Sequence, residues 1–276
     1  MVLIEGNTLY VIHESGNLGH YFNDHAYSAF AYYLENKESI HTIYINCRDS
    51  QRKDIDFLAE GILSKKVFEG HANRYKNASL LSIFFLDCTK KIIFNNEDYT
   101  FENLIVTKSD RFFRMYVNYL QVFTHLHNNL HGFLQTNNMN IPPVDVSILC
   151  RKKGAREMKC IENFEKMLSQ EKYSYQCLDL SNYSFIDIVT MFHTSKHIVS
   201  TWGCELTYGI FMKEGTTILT IEDSQDSWWK IMENYYTQYG IVYKRVNVHL
   251  EGDARNGCIV LSNEICCNIL QFIKLE

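Results

Sequence analysis

Beyond residue 144 the chain alternates between short apolar, β-branched runs and longer stretches with apolar residues at helical spacing. The strand-like runs are 144–150, 173–178, 197–201, 217–221 and 241–246. Between them the period predicts helices over 155–170, 185–195, 206–213 and 227–239. Neighbouring strands run parallel only if the chain returns to the same end of the sheet each time, and a helix is the usual return path. Four or five such repeats therefore predict a parallel sheet with helices on both faces. The last segment, 262–276, again carries helical spacing and is expected to pack back across the molecule.

The first half is less regular but similar in kind. Residues 9–13, 40–46, 81–86 and 104–106 read as strands, and 27–34, 55–63 and 112–133 as helices. The chain's two prolines are adjacent, Pro142 and Pro143, after the polar stretch 135–141. Paired prolines forbid helix and restrict the residue before them, so they make a stiff extended joint near the midpoint. The expected division is an α/β domain over 1–141, a second over 142–261, and the helix 262–276. Each half is long enough to bury a core of its own. Two α/β domains on a short linker place a ligand in the cleft between them, at the carboxyl ends of the strands.

Several function classes are disfavoured. With 27 basic and 32 acidic residues the net charge is −5, which gives no blanket affinity for nucleic acid. The N-terminus has no positive start, and Glu5 and Glu14 interrupt its apolar stretch, so no signal peptide is expected. The most apolar run, 80–86, falls far short of the ~20 residues that span a bilayer. Nine cysteines lie scattered without a C-x-x-C pair, and are expected to be reduced and partly buried in a cytoplasmic protein.

Three clusters carry chemistry. His20 and Asp24 lie four apart, after a strand and before a helix, so one helical turn points both the same way. Asp24 suits a general base that His20 orients; the plain alternative is a capping aspartate beside a solvated histidine. Arg151, Lys152, Lys153 and Arg156 follow a strand end, where four cations suit a diphosphate or simply make a basic surface loop. Residues 200–207 join a strand to a helix. There Gly203 would let the backbone turn sharply, and the following amides would form an anion site, or the segment is an ordinary βα turn. Other patterns are weaker. Asp54 and Asp56 form a D-x-D within an apparently solvated helix face, and His127 and His131 share a helix face without the H-E-x-x-H acid.

In this order along the chain, these residues resemble the family-61 glycosyltransferases. That family includes plant xylosyl- and arabinosyltransferases and animal O-linked N-acetylglucosamine transferases. Its H-x-x-x-D is matched by His20 and Asp24, and its two arginines with four residues between them by Arg151 and Arg156. Its phenylalanine-led helix aligns with 184–187, and its hallmark H-G-A-x-L-T-N and short helix with 200–211. The acid-ended strand 218–222 and the segment Gly240 to Tyr243 complete the pattern. Trp202 stands in place of the hallmark histidine, Cys204 of the alanine and Tyr208 of the asparagine; Gly203, Leu206 and Thr207 are retained. The match covers nearly all of the C-terminal half and a short part of the first.

The resemblance implies a GT-B fold, two Rossmann-like domains facing a cleft, with the acceptor on the first and a nucleotide sugar on the second. It implies an inverting transfer to a glycan or glycoprotein hydroxyl from a UDP-sugar, xylose favoured and N-acetylglucosamine next, with no metal or other cofactor. Arginines and a helix N-terminus then do the charge stabilisation that a metal does elsewhere. On this reading Asp24 is the base with His20 beside it, and Arg151 and Arg156 hold the diphosphate. Trp202 stacks on base or sugar, Gly203, Cys204, Glu205, Leu206 and Thr207 form a second anchor, and Glu222 takes the ribose hydroxyls. The family's usual membrane anchor is not evident, so a cytoplasmic enzyme is expected, in the host cytoplasm if virus-encoded. Three alternatives stay open: a non-catalytic glycan- or nucleotide-binding module, a GT-B enzyme with another nucleotide sugar, and a metal enzyme using Asp54 and Asp56.

Overall fold

A strand buried on both faces needs apolar residues at every position, and three segments of the second half meet that demand. β5 (Val146–Leu149), β8 (His197–Thr201) and β9 (Thr217–Glu222) are buried along their whole length. With β7 (Tyr175–Leu178) and β10 (Val242–Asn247) they form a five-stranded sheet of order β10-β9-β8-β5-β7, parallel throughout. The computed structural model describes residues 2–13, 26–47, 80, 83–86, 88–95, 99–107, 119–136, 142–150, 157–201, 203–222, 229–248 and 258–275. Two compact units emerge: 1–139 with 184–186, and 140–183 with 187–276.

In the second unit, α3 (Ile161–Gln170) and α6 (Asn263–Leu275) pack on each other over one core. Phe164, Leu168, Cys266, Ile269 and Ile273 meet Val146, Ile148, Val199, Leu219 and Ile221 there. The C-terminal helix thus lies against α3 within this unit. Two further helices, α4 (Phe185–Thr194) and α5 (Trp229–Gln238), complete the alternation. The expected helix 155–170 starts only at Ile161, because β6 (Met158–Lys159) pairs with β11 (Ile259–Val260) in a small parallel sheet. The carbonyls of Glu157 and Lys159 accept from the amides of Ile259 and Leu261 at 2.8 and 3.0 Å, so tertiary pairing overrides local helical preference.

The cysteines also depart from expectation. Cys150 and Cys177 are joined in a disulfide, whereas all were expected to be reduced. Register explains the pairing: β5 and β7 are adjacent and Ile148 stands opposite Cys177, so the two cysteines meet across the strands although 27 residues separate them.

The first unit holds β1 (Val2–His13), β2 (Thr42–Cys47), β3 (Lys91–Asn95) and β4 (Tyr99–Val106), in the order β3-β2-β1-β4 with parallel pairing. Gly6, at φ 77°, takes up a register slip between Ile4 and Asn7, which hides the first part of β1 from a period-two reading. α1 (Tyr27–Asn36) and α2 (Tyr119–Thr136) pack together. Phe30 stacks on Phe84 with centroids 3.7 Å apart.

The expected strand 81–86 is not one: Leu80 and residues 83–84 are helical and a turn follows. Its carbonyls go to side chains of α2 instead of a ladder. Asn129 Nδ2 donates to the Ile83 and Phe84 oxygens at 2.9 Å each, and the His125 ring lies 2.8 Å from the latter. An apolar run of this length fits a strand or a buried helical turn equally well by pattern, and buried side-chain partners decide.

His197, at the start of β8, is buried and neither of its ring nitrogens has a hydrogen-bond partner. Burial pushes its imidazole down from 6.5 to about 4; the Lys196 ammonium adds to this and the Asp145 carboxylate opposes it. The native state therefore stays unprotonated where the unfolded chain takes up a proton. Stability is lost as pH falls from about 6.5 towards 4, by about 2.5 kcal/mol between neutrality and about pH 4.5. Urea unfolding at both values should show this loss, and His197→Gln should remove that share of it.

Candidate active site

In an open parallel sheet, ligands bind outside the carboxyl ends of the strands, where the strand order reverses. In the second unit the chain goes from β5 outward to β7, then crosses to β8 on the other side of β5. The reversal lies between β5 and β8. Leu149 ends the first of these strands and is followed by Cys150 and 151–156; Thr201 ends the second and is followed by Trp202 and Gly203. Arg151, Arg156 and Trp202 lie outside the described residues. In the first unit the order reverses at β1, whose carboxyl end at His13 leads into 14–25. His20 and Asp24 fall in that segment, also outside the described residues, as do Asp54 and Asp56. Ser28, in the first turn of α1, donates to the Thr107 hydroxyl, just past β4, at 3.3 Å.

After β8 the expected helix is a 3-10 helix, Cys204–Phe211. The chain bends at Gly203 as expected, with φ 176° and ψ 177°, extended backbone that any residue adopts. The Leu206 amide is committed to the Gly203 carbonyl at 3.2 Å, as a three-residue repeat requires. Leu206 and Thr207 are buried and Glu205 is half-buried. The Tyr236 hydroxyl of α5 donates to the Leu206 carbonyl, and the His193 ring of α4 lies 3.1 Å from the Phe211 carbonyl. Tyr208 packs on Phe192 with centroids 5.5 Å apart. Both ends of the segment are thus fastened to neighbouring helices.

Gly209 sits at the tightest point. A Cβ there would stand 2.7 Å from Ile218 Cδ1 and from Tyr236 Cε1 and its hydroxyl oxygen. Gly209→Ala is expected to lower stability by about 1–3 kcal/mol, since neither buried side chain has room to withdraw. Thermal unfolding measures this.

Glu222 ends β9 and is buried, 3% exposed. Its Oε1 lies 3.0 Å from Arg245 Nε on β10. Arg245 also donates from Nη2 to Asn247 Oδ1 at 2.7 Å. Thr220 Oγ1 is 3.5 Å from the same Glu222 oxygen and donates to the Tyr243 hydroxyl at 3.0 Å. Burial holds the Tyr243 phenol well above its ordinary range, and the Glu222 carboxylate adds to this, while the Thr220 hydrogen bond and Arg245 oppose it. Reading the sequence alone missed Thr220, Arg245 and Asn247. The usable signal was a charged pair, Lys244-Arg245, inside the otherwise apolar run 241–246.

The histidines of α2 have local partners. His125 is held at the Phe84 carbonyl, and Gln135 Nε2 lies 2.9 Å from the His131 ring. Among the described residues no group of three metal-ligating side chains converges, and no helix is long and apolar enough to cross a membrane.

No curated protein matches the chain. The sequence model of the family Glycosyltransferase 61 matches residues 7–219, from β1 into β9 and across both units. Parallel α/β sheets agree with that match, and the chain belongs to glycosyltransferase family 61.

Proposed function

We propose that this glycosyltransferase moves a sugar, xylose favoured, from a UDP-sugar to a hydroxyl of a glycan or glycoprotein acceptor, with inversion and without a metal. The proposal includes a GT-B arrangement in which the first unit serves the acceptor and the second the donor. One observation carries it: each candidate motif follows or ends a parallel strand on its carboxyl side. The His20–Asp24 segment follows β1, the arginines follow β5, residues 202–207 follow β8, and Glu222 ends β9.

The acceptor oxygen attacks the anomeric carbon as the bond to the diphosphate oxygen breaks. Asp24 takes the acceptor proton, with His20 orienting it, and UDP departs with the bonding pair. Arg151 and Arg156 stabilise that departing charge, with backbone amides of 203–207 as a second anchor. The Leu206 amide is already committed to the Gly203 carbonyl, so this anchor falls to the amides at the start of the segment, those of Gly203, Cys204 and Glu205. Trp202 stacks on base or sugar, and Glu222 accepts from the ribose hydroxyls. The cytoplasmic expectation rested partly on reduced cysteines; the Cys150–Cys177 bridge removes that support, since such bonds persist in oxidising compartments.

Thermal unfolding with UDP, GDP, UDP-xylose and UDP-N-acetylglucosamine, each with and without EDTA, tests the donor reading. Uridine nucleotides at about 100 times Kd should add ~2.7 kcal/mol, a shift of several degrees that survives EDTA. Arg151→Ala should weaken UDP binding by about 1.5–3 kcal/mol. No shift with any nucleotide overturns the donor site, and a shift only with added metal returns the reaction to a metal site such as Asp54 and Asp56.

A further inference from the structure

We infer that Arg245 is a positioning residue for donor recognition, acting through Glu222. The inference rests on the reading of Glu222 as the acceptor of the ribose hydroxyls. A carboxylate so completely buried loses its hydration, and an ion pair in its place rarely adds stability beyond what apolar side chains would supply. Here the pair stands at the carboxyl end of a strand whose other positions are Thr or aliphatic. What it supplies is orientation.

The guanidinium is a rigid plane with donors in a fixed fork. Nε reaches Glu222 Oε1 at 3.0 Å and Nη2 reaches Asn247 Oδ1 at 2.7 Å, so two anchors fix that plane and with it the carboxylate oxygen. Asn247 is the register partner of Glu222, and the Val248 amide donates to the Glu222 carbonyl at 3.0 Å. Backbone and side chain of Glu222 are therefore held from the same strand. A lysine in place of Arg245 keeps the charge but cannot reach both anchors.

The test compares the Kd of UDP with that of 2′,3′-dideoxy-UDP by calorimetry, alongside thermal unfolding of each variant. The native protein should prefer UDP about 10- to 100-fold, the range for hydrogen bonds to a charged group. Arg245→Gln should reduce that preference to within about threefold while leaving the affinity for the dideoxy compound nearly unchanged. A purely structural Arg245 would lower the unfolding temperature and leave the preference intact, which overturns the inference. If Arg245→Gln does not fold, Arg245→Lys should show an intermediate preference, and a native one overturns the inference equally. Glu222→Gln separates the two readings. If it loses the preference while the Arg245 variants keep it, the ribose role stands and the positioning role falls. A native preference in Glu222→Gln removes the ribose role and the inference with it.

Discussion

Asp24→Asn is expected to cut turnover about 100- to 10,000-fold, the range for losing a positioned general base, while UDP-sugar affinity stays near native. The change swaps one oxygen for an amide nitrogen, so the shape of the acceptor site is kept and only the capacity to take a proton is lost. Steady-state kinetics should show the fall in kcat with little change in donor KM, as removal of an interaction used in the transition state predicts. An inverting displacement uses a single base on the face opposite the leaving group. If turnover in Asp24→Asn stays near native, the base is another acid, with Glu14 the first to replace. Equal losses of kcat and donor affinity would instead place Asp24 in donor binding.

The second large effect concerns the Cys150–Cys177 bridge. Closing a 27-residue loop restricts the unfolded chain, and the chain-entropy relation puts the resulting stabilisation at about 3.5 kcal/mol. Cys177→Ser should lose about this much in urea unfolding. Native protein kept in reductant should fall to the same value, because Cys177 is exposed on edge strand β7 and open to attack. A midpoint indifferent to both treatments would mean that the two thiols are not joined. The bridge also bears on the site: Cys150 directly precedes Arg151, so Cys177→Ser should weaken UDP binding if the end of β5 needs its neighbour to hold it.

The strands of the second unit were legible because burial on both faces leaves no polar alternation to misread. The run 197–201 matches β8 to the residue, and 217–221 misses only Glu222. Where pairing is non-local the sequence was silent. Nothing near residues 158–159 announces a partner a hundred residues later, and a helical pattern filled the gap. Cys150 and Cys177 carry no spacing signal, since only the register of β5 on β7 brings them together. At the site, an acid at the end of an apolar strand pointed to Glu222, whereas its partner Arg245 depends on the alignment of β10 with β9. The bend at Gly203 was legible from its place between strand and helix, although it is made in extended backbone that does not require a glycine.

The reach of the second core has a consequence for anyone dividing this protein into pieces. The family match stops at residue 219, halfway along β9, yet the core beneath that strand includes Ile221, Val246, Ile259, Leu261, Ile269 and Ile273. A fragment cut at the edge of the match would sever a central strand, delete β10 with Arg245, and leave Phe164 and Leu168 facing water. The recognisable stretch is shorter than the cooperative one. Everything from Asn140 to the last turn of α6 must therefore be kept together for the second unit to stand alone.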